Sequence, residues 1–105
     1  LLSGIHTVRD EHLLELLALA YDSEGLMLEP SALAGVPGIR HVLRNDAPEW
    51  HAWRAANGLD DGEVQANTTH VVWATGGSMV PEAIWQADYQ RGKALLSQVS
   101  ASRQE

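Results

Sequence analysis

The stretch that most constrains this chain runs Thr69-His70-Val71-Val72-Trp73-Ala74-Thr75-Gly76-Gly77-Ser78-Met79-Val80-Pro81-Glu82. It joins an apolar run to a glycine turn bearing two hydroxyls, and then to a helix start. Val71 to Ala74 shows no apolar/polar alternation, so it reads as a strand covered on both faces, the pattern of a parallel sheet flanked by helices. Pro81 suits a helix start, and Glu82 suits the positive end of its first turn. In open sheets of this kind, small ligands sit beyond the carboxyl ends of the strands. Thr75 stands at that end, followed by Gly76 and Gly77, and is therefore a candidate ligand contact. Gly76-Gly77-Ser78 could cradle an anion with backbone N–H groups. It is neither G-x-G-x-x-G nor a P-loop, however, and a tight strand-to-helix turn is the simpler reading.

Leu26-Met27-Leu28 is a second short strand candidate, ending at Glu29-Pro30-Ser31-Ala32. Glu29 thus occupies a second strand end, although a carboxylate there also stabilises a following helix. A helix from about Pro30 carries Ala32, Leu33 and Ala34, breaks at Gly35-Val36-Pro37-Gly38, and resumes from Ile39 to Arg44. Upstream, Thr7-Val8-Arg9-Asp10 has the makings of a capping box and predicts a helix over 8–23, stopped by Gly25. Leu13, Leu14, Leu16, Leu17, Ala20 and Tyr21 cover one broad face of it, and Leu19 falls outside. A face this wide suits a helix with several neighbours, and a domain of 105 residues offers few. Together with an opening Leu1-Leu2-Ser3-Gly4 that lacks Met, this reads as a piece of a longer chain.

The region 45–68 is the least defined. Pro48 to Ala56 is a short helix candidate containing Trp50 and Trp53, and Gly58 to Gly62 is a turn. In the last helix Trp85, Tyr89 and Leu96 share a stripe that Gly92 interrupts. The helix either stops there or continues weakly, which divides the chain into a body over 1–92 and a polar tail over 93–105.

Composition excludes more than it selects. The net charge of −7, from 14 acidic and 7 basic residues, disfavours nucleic acid and anionic membranes as partners. With no Cys there is no disulfide and no thiolate chemistry, and a reducing, cytoplasmic setting fits. No apolar run approaches the roughly 20 residues that span a bilayer. The five His residues show no metal spacing. Asp60-Asp61-Gly62-Glu63 lacks the alternating ligands of a calcium loop. No residue here reads as catalytic or as a metal ligand.

A family resemblance adds to these readings. Leu28-Glu29-Pro30-Ser31-Ala32-Leu33-Ala34-Gly35, with Asp22-Ser23-Glu24-Gly25 before it, resembles the bacterial D-serine dehydratases (D-serine ammonia-lyases). So does the run from Asn67 to Glu82, and Leu1-Leu2-Ser3-Gly4-Ile5 followed by Thr7-Val8 is similar too. The motifs keep their order over roughly residues 1–92, with a weaker match over 46–65 and in the tail.

The resemblance implies a pyridoxal-phosphate lyase of fold type II, the tryptophan-synthase-β fold, which converts D-serine to pyruvate and ammonia by β-elimination. In that family a Lys holds the cofactor as a Schiff base and a glycine-rich loop binds its phosphate. This chain resembles the C-terminal portion, and Lys93, its one Lys, does not stand at the Schiff-base position. By the resemblance Thr75 faces the pyridine nitrogen, Gly76-Gly77 is the turn that lets the chain pass the ring closely, and Glu29 lies near the cofactor. A neutral Thr hydroxyl suits β-elimination, because a departing hydroxyl takes up the electrons and a protonated, strongly electron-withdrawing ring is not needed.

The expected fold is α/β: the C-terminal fragment of a three-layer αβα large domain, with short parallel strands flanked by helices. The expected function is the ring-nitrogen contact of a D-serine ammonia-lyase, inactive alone. The alternative is a non-enzymatic, truncated or split α/β module that self-associates or packs with a partner.

Overall fold

The computed structural model describes residues 4–104. In chain order these form α1 (Asp10–Glu24), a 3-10 turn (Pro30–Leu33), α2 (Val36–Arg44), α3 (Pro48–Ala56), α4 (Gly62–Ala66) and α5 (Glu82–Gln104).

Helix boundaries follow local chemistry. Pro37 and Pro48 sit in first turns, where the missing N–H costs nothing. α2 therefore starts at Val36, not Ile39, and Pro37 opens the helix that it was expected to break. Asp61 caps α4, its Oδ1 accepting from the Glu63 N–H at 2.7 Å. Gly25 ends α1 in the left-handed region (φ 67°), where only glycine rests without strain, and its N–H reaches the Tyr21 carbonyl at 2.9 Å. The capping box expected at Thr7 does not form. α1 begins at Asp10 behind Arg9, which makes no side-chain cap, and Asp10 and Glu11 supply the first-turn negative charge instead.

α1 and α5 make the core. Leu17 and Trp85 are fully covered, joined by Ala18, Ala32 and Leu33, and rimmed by Leu13, Leu16, Ala20, Leu28, Val36, Val80 and Tyr89. Burying side chains of this size contributes roughly 1.5–3 kcal/mol each. Leu19 stays exposed, as its place on the wheel requires. The helices meet at Gly92. A Cβ there would overlap the Leu14 carbonyl oxygen and come 3.1 Å from Ala18 Cβ. The glycine that looked like an interruption of α5 is the point of closest approach, and the helix runs through it to Gln104. Tyr21, Trp85 and Tyr89 form an aromatic cluster over the seam, with ring centroids 4.8–5.4 Å apart.

The α/β expectation is overturned: among the described residues there is no strand and no sheet. The two apolar runs read as strands do come side by side, and the Glu29 N–H donates to the Gly76 carbonyl at 3.1 Å. A strand needs a ladder of such bonds to a neighbour, and these runs lack the flanking strands that would supply one. Val72 leans on Gly35, where an added Cβ would come 3.2 Å from Val72 Cγ1. Val71 and Trp73 face solvent, each 85% exposed.

The chain exposes 7978 Å², whereas a compact monomer of this mass exposes about 5,800 Å². Its radius of gyration is 16.5 Å against about 13 Å for a compact domain of this length. α3 and α4 contribute no buried residue.

Candidate functional site

The three residues singled out in the sequence meet in one place. The Glu29–Gly76 hydrogen bond joins the end of the first apolar run to the end of the second. The Glu29 side chain lies over Gly76, so that a Cβ on Gly76 would stand 2.8 Å from Glu29 Oε1. Thr75, the residue before, is exposed. A neutral hydroxyl, a stretch of bare backbone and a carboxylate thus share one open surface.

Two further residues, not named as ligand contacts by the resemblance, shape this surface. Gly77 is buried against the Met27–Leu28 backbone. A Cβ there would overlap the Met27 carbonyl oxygen and come 2.8 Å from Leu28 Cα. Trp85, from the first turns of α5, sends its indole N–H to the Leu28 carbonyl at 2.9 Å. The sequence held a signal for the second contact, since a Trp on a buried stripe needs an acceptor for its N–H.

Lys93 is engaged elsewhere. Its ammonium and the Tyr89 hydroxyl both donate to the Asp22 carboxylate, which ties α5 to the end of α1. The hydrogen bond to Asp22 raises the Lys93 pKa above its ordinary value. Lys93 is therefore a charged tether at neutral pH. The other polar motifs are also structural. Trp50 stacks on Trp53 at 5.1 Å and donates to the Val42 carbonyl, and Arg54 pairs with Asp60 at 3.5 Å. His12 pairs with Glu15, and His6 meets the Ala34 carbonyl. His51 and His70 are exposed. No helix among the described residues is long and apolar enough to cross a membrane.

No family model matches the chain. Among curated proteins it is 53% identical over 96 residues to a probable D-serine dehydratase of Pseudomonas paraeruginosa, which covers 91% of this chain and 20% of that protein. A probable D-serine dehydratase of Chromobacterium violaceum is 50% identical over the same extent. The D-serine dehydratase of Serratia proteamaculans is 48% identical over 83 residues, 79% of this chain and 17% of that one. Identity at this level over most of the chain relates it to proteins named as dehydratases. More narrowly, the chain belongs to the D-serine dehydratase family as one segment, spanning about a fifth of the length of the curated relatives it matches.

Proposed function

We propose that this chain is the C-terminal portion of a pyridoxal-phosphate-dependent D-serine ammonia-lyase, that it supplies the contact to the cofactor's ring nitrogen, and that it is inactive alone. The observation that carries the reading is the meeting of Glu29 with Gly76, directly beside the exposed hydroxyl of Thr75. When bound, the cofactor supplies the electron sink that lets the β-hydroxyl of D-serine depart. Thr75 Oγ1 would donate a hydrogen bond to the ring nitrogen and keep its own proton, a contact that suits an uncharged nitrogen. Gly76 brings no side chain of its own to the ring edge. Glu29 stands over Gly76 and holds that flank polar.

The chain does not act alone in this reading. Lys93 is bound to Asp22 and does not serve as the cofactor-linking Lys. That Lys and the phosphate loop belong to the remaining length of the relatives. The test is reassembly: mix this chain with the upstream segment of a relative, add pyridoxal phosphate and D-serine, and follow pyruvate. Pyruvate from the mixture and from neither part alone is the expected result. An assembled, cofactor-loaded mixture that forms no pyruvate would overturn the reading.

The second reading is a non-enzymatic module that works by self-association. The exposed Val71, Trp73 and Met79 favour it, because together they present apolar surface with no cover in this chain. It predicts stable oligomers that the upstream segment does not dissolve.

A further inference from the structure

We propose that Trp85 is a positioning residue for Glu29: by holding the Leu28 carbonyl, its indole N–H sets where the Glu29 carboxylate stands beside Gly76. The inference deepens the reading above and rests on it only for the role of Glu29.

The Leu28 carbonyl and the Glu29 N–H belong to the same planar group. Trp85 Nε1 donates to the first at 2.9 Å, and the second donates to the Gly76 carbonyl at 3.1 Å. Both polar ends of the plane are therefore tied, one to α5 and one to the Thr75–Gly76 segment. A plane held at both ends cannot rotate about its flanking bonds. Gly77 closes a third side by packing on Leu28 Cα, where no side chain fits.

The next backbone angle is fixed as well. Pro30 confines the residue before it to extended backbone, and Glu29 has φ −75° and ψ 154°. With the preceding peptide clamped and φ confined to the extended range, the Cα–Cβ direction of Glu29 is confined too. Only its side-chain rotamers remain free. A purely space-filling Trp85 would account for its 1% exposure and its contacts with Tyr21 and Tyr89. It would not require the N–H to meet the one carbonyl that belongs to the Glu29 peptide.

The test separates the N–H from the ring. Trp85 is replaced in this chain by β-(3-benzothienyl)alanine, which keeps the bicyclic shape and has sulfur where the N–H was. Amide hydrogen exchange is read at Glu29 and, as an internal control, at Leu17 and Ala18. Glu29 exchange is expected to accelerate about fivefold to tenfold, the factor for one net hydrogen bond, while Leu17 and Ala18 stay within about twofold. Gly77→Ala is the second variant. It pushes on the same peptide from the other side, leaves Trp85 intact, and is expected to accelerate Glu29 in the same way.

An unchanged Glu29 rate in the benzothienyl variant overturns the proposal, whatever Gly77→Ala does. So does a rise shared equally by Leu17 and Ala18, which would make Trp85 a core residue and nothing more. The outcome is independent of the cofactor: if the reassembled, cofactor-loaded mixture forms no pyruvate, the ammonia-lyase reading falls while the exchange result at Glu29 stands.

Discussion

Gly92 of α5 sits so close to Leu14 of α1 that an added Cβ would overlap the Leu14 carbonyl oxygen. The crossing carries the core, since Leu17 and Trp85 are buried by the same pair of helices. In an ordinary exposed helix, replacing glycine by alanine stabilises by about 1 kcal/mol. Here the sign reverses. Gly92→Ala must spread the helices, and overpacking of this kind costs roughly 1–3 kcal/mol. Urea denaturation is expected to show a lower midpoint for Gly92→Ala, and Gly92→Leu is expected not to fold. A higher midpoint for Gly92→Ala would contradict the crossing.

The Asp22–Lys93–Tyr89 cluster sets a pH dependence. Hydrogen bonds from Lys93 and then Tyr89 lower the Asp22 pKa below its ordinary 3.8. A carboxylate lowered on folding adds stability above its unfolded value and loses it as pH falls through the folded one. Lys93 and Tyr89 are both raised by the hydrogen bond with Asp22. Their contributions are complete below their ordinary values and fade as pH rises through the raised ones. Asp22→Asn is thus expected to be less stable than the parent at pH 7. The difference should shrink once pH drops below 3.8 and vanish at lower pH. Thermal unfolding of both chains between pH 2 and pH 7 checks this. The group is exposed, so added salt should also narrow the difference.

Trp73 and Met79 are 85% and 95% exposed, and the chain carries roughly 2,200 Å² more surface than a compact monomer. Surface of this kind draws copies together or binds apolar dyes. The double variant Trp73→Ser, Met79→Ser is expected to cut dye fluorescence while leaving helical circular dichroism unchanged. At about 25 cal/mol per Å², losing roughly 60 Å² of apolar contact weakens self-association about tenfold. Sedimentation of parent and variant reads that change. Equal sedimentation and equal dye binding would place the exposed surface elsewhere.

What the sequence made legible was local. Pro48 marked the start of α3 and Gly25 the end of α1, because a missing N–H and a left-handed turn act within a few residues. The broad face of α1 and the exclusion of Leu19 from it followed from helical spacing alone. The errors were non-local. Val71 to Ala74 has the composition of a covered strand, but a strand exists only with a hydrogen-bonding neighbour, and the described residues supply none of that length. Gly92 carries a local helix cost, and its compensation is the approach of α1, far away in sequence. Thr75, Gly76 and Glu29 were named from position and family resemblance, and the structure brings them together. The Trp85 bond to Leu28 that ties them to α5 required the fold.

The central claim is that Thr75 is the ring-nitrogen contact of a cofactor site completed by the rest of a D-serine dehydratase. The direct measurement uses this chain reassembled with the upstream segment of a relative and loaded with pyridoxal phosphate labelled with 15N in the ring. The ring-nitrogen resonance is compared between the parent and Thr75→Val. The prediction is an unprotonated, hydrogen-bonded nitrogen in the parent, a clear shift in Thr75→Val, and a slower formation of pyruvate from D-serine. An identical resonance and an identical rate in the two proteins would contradict it.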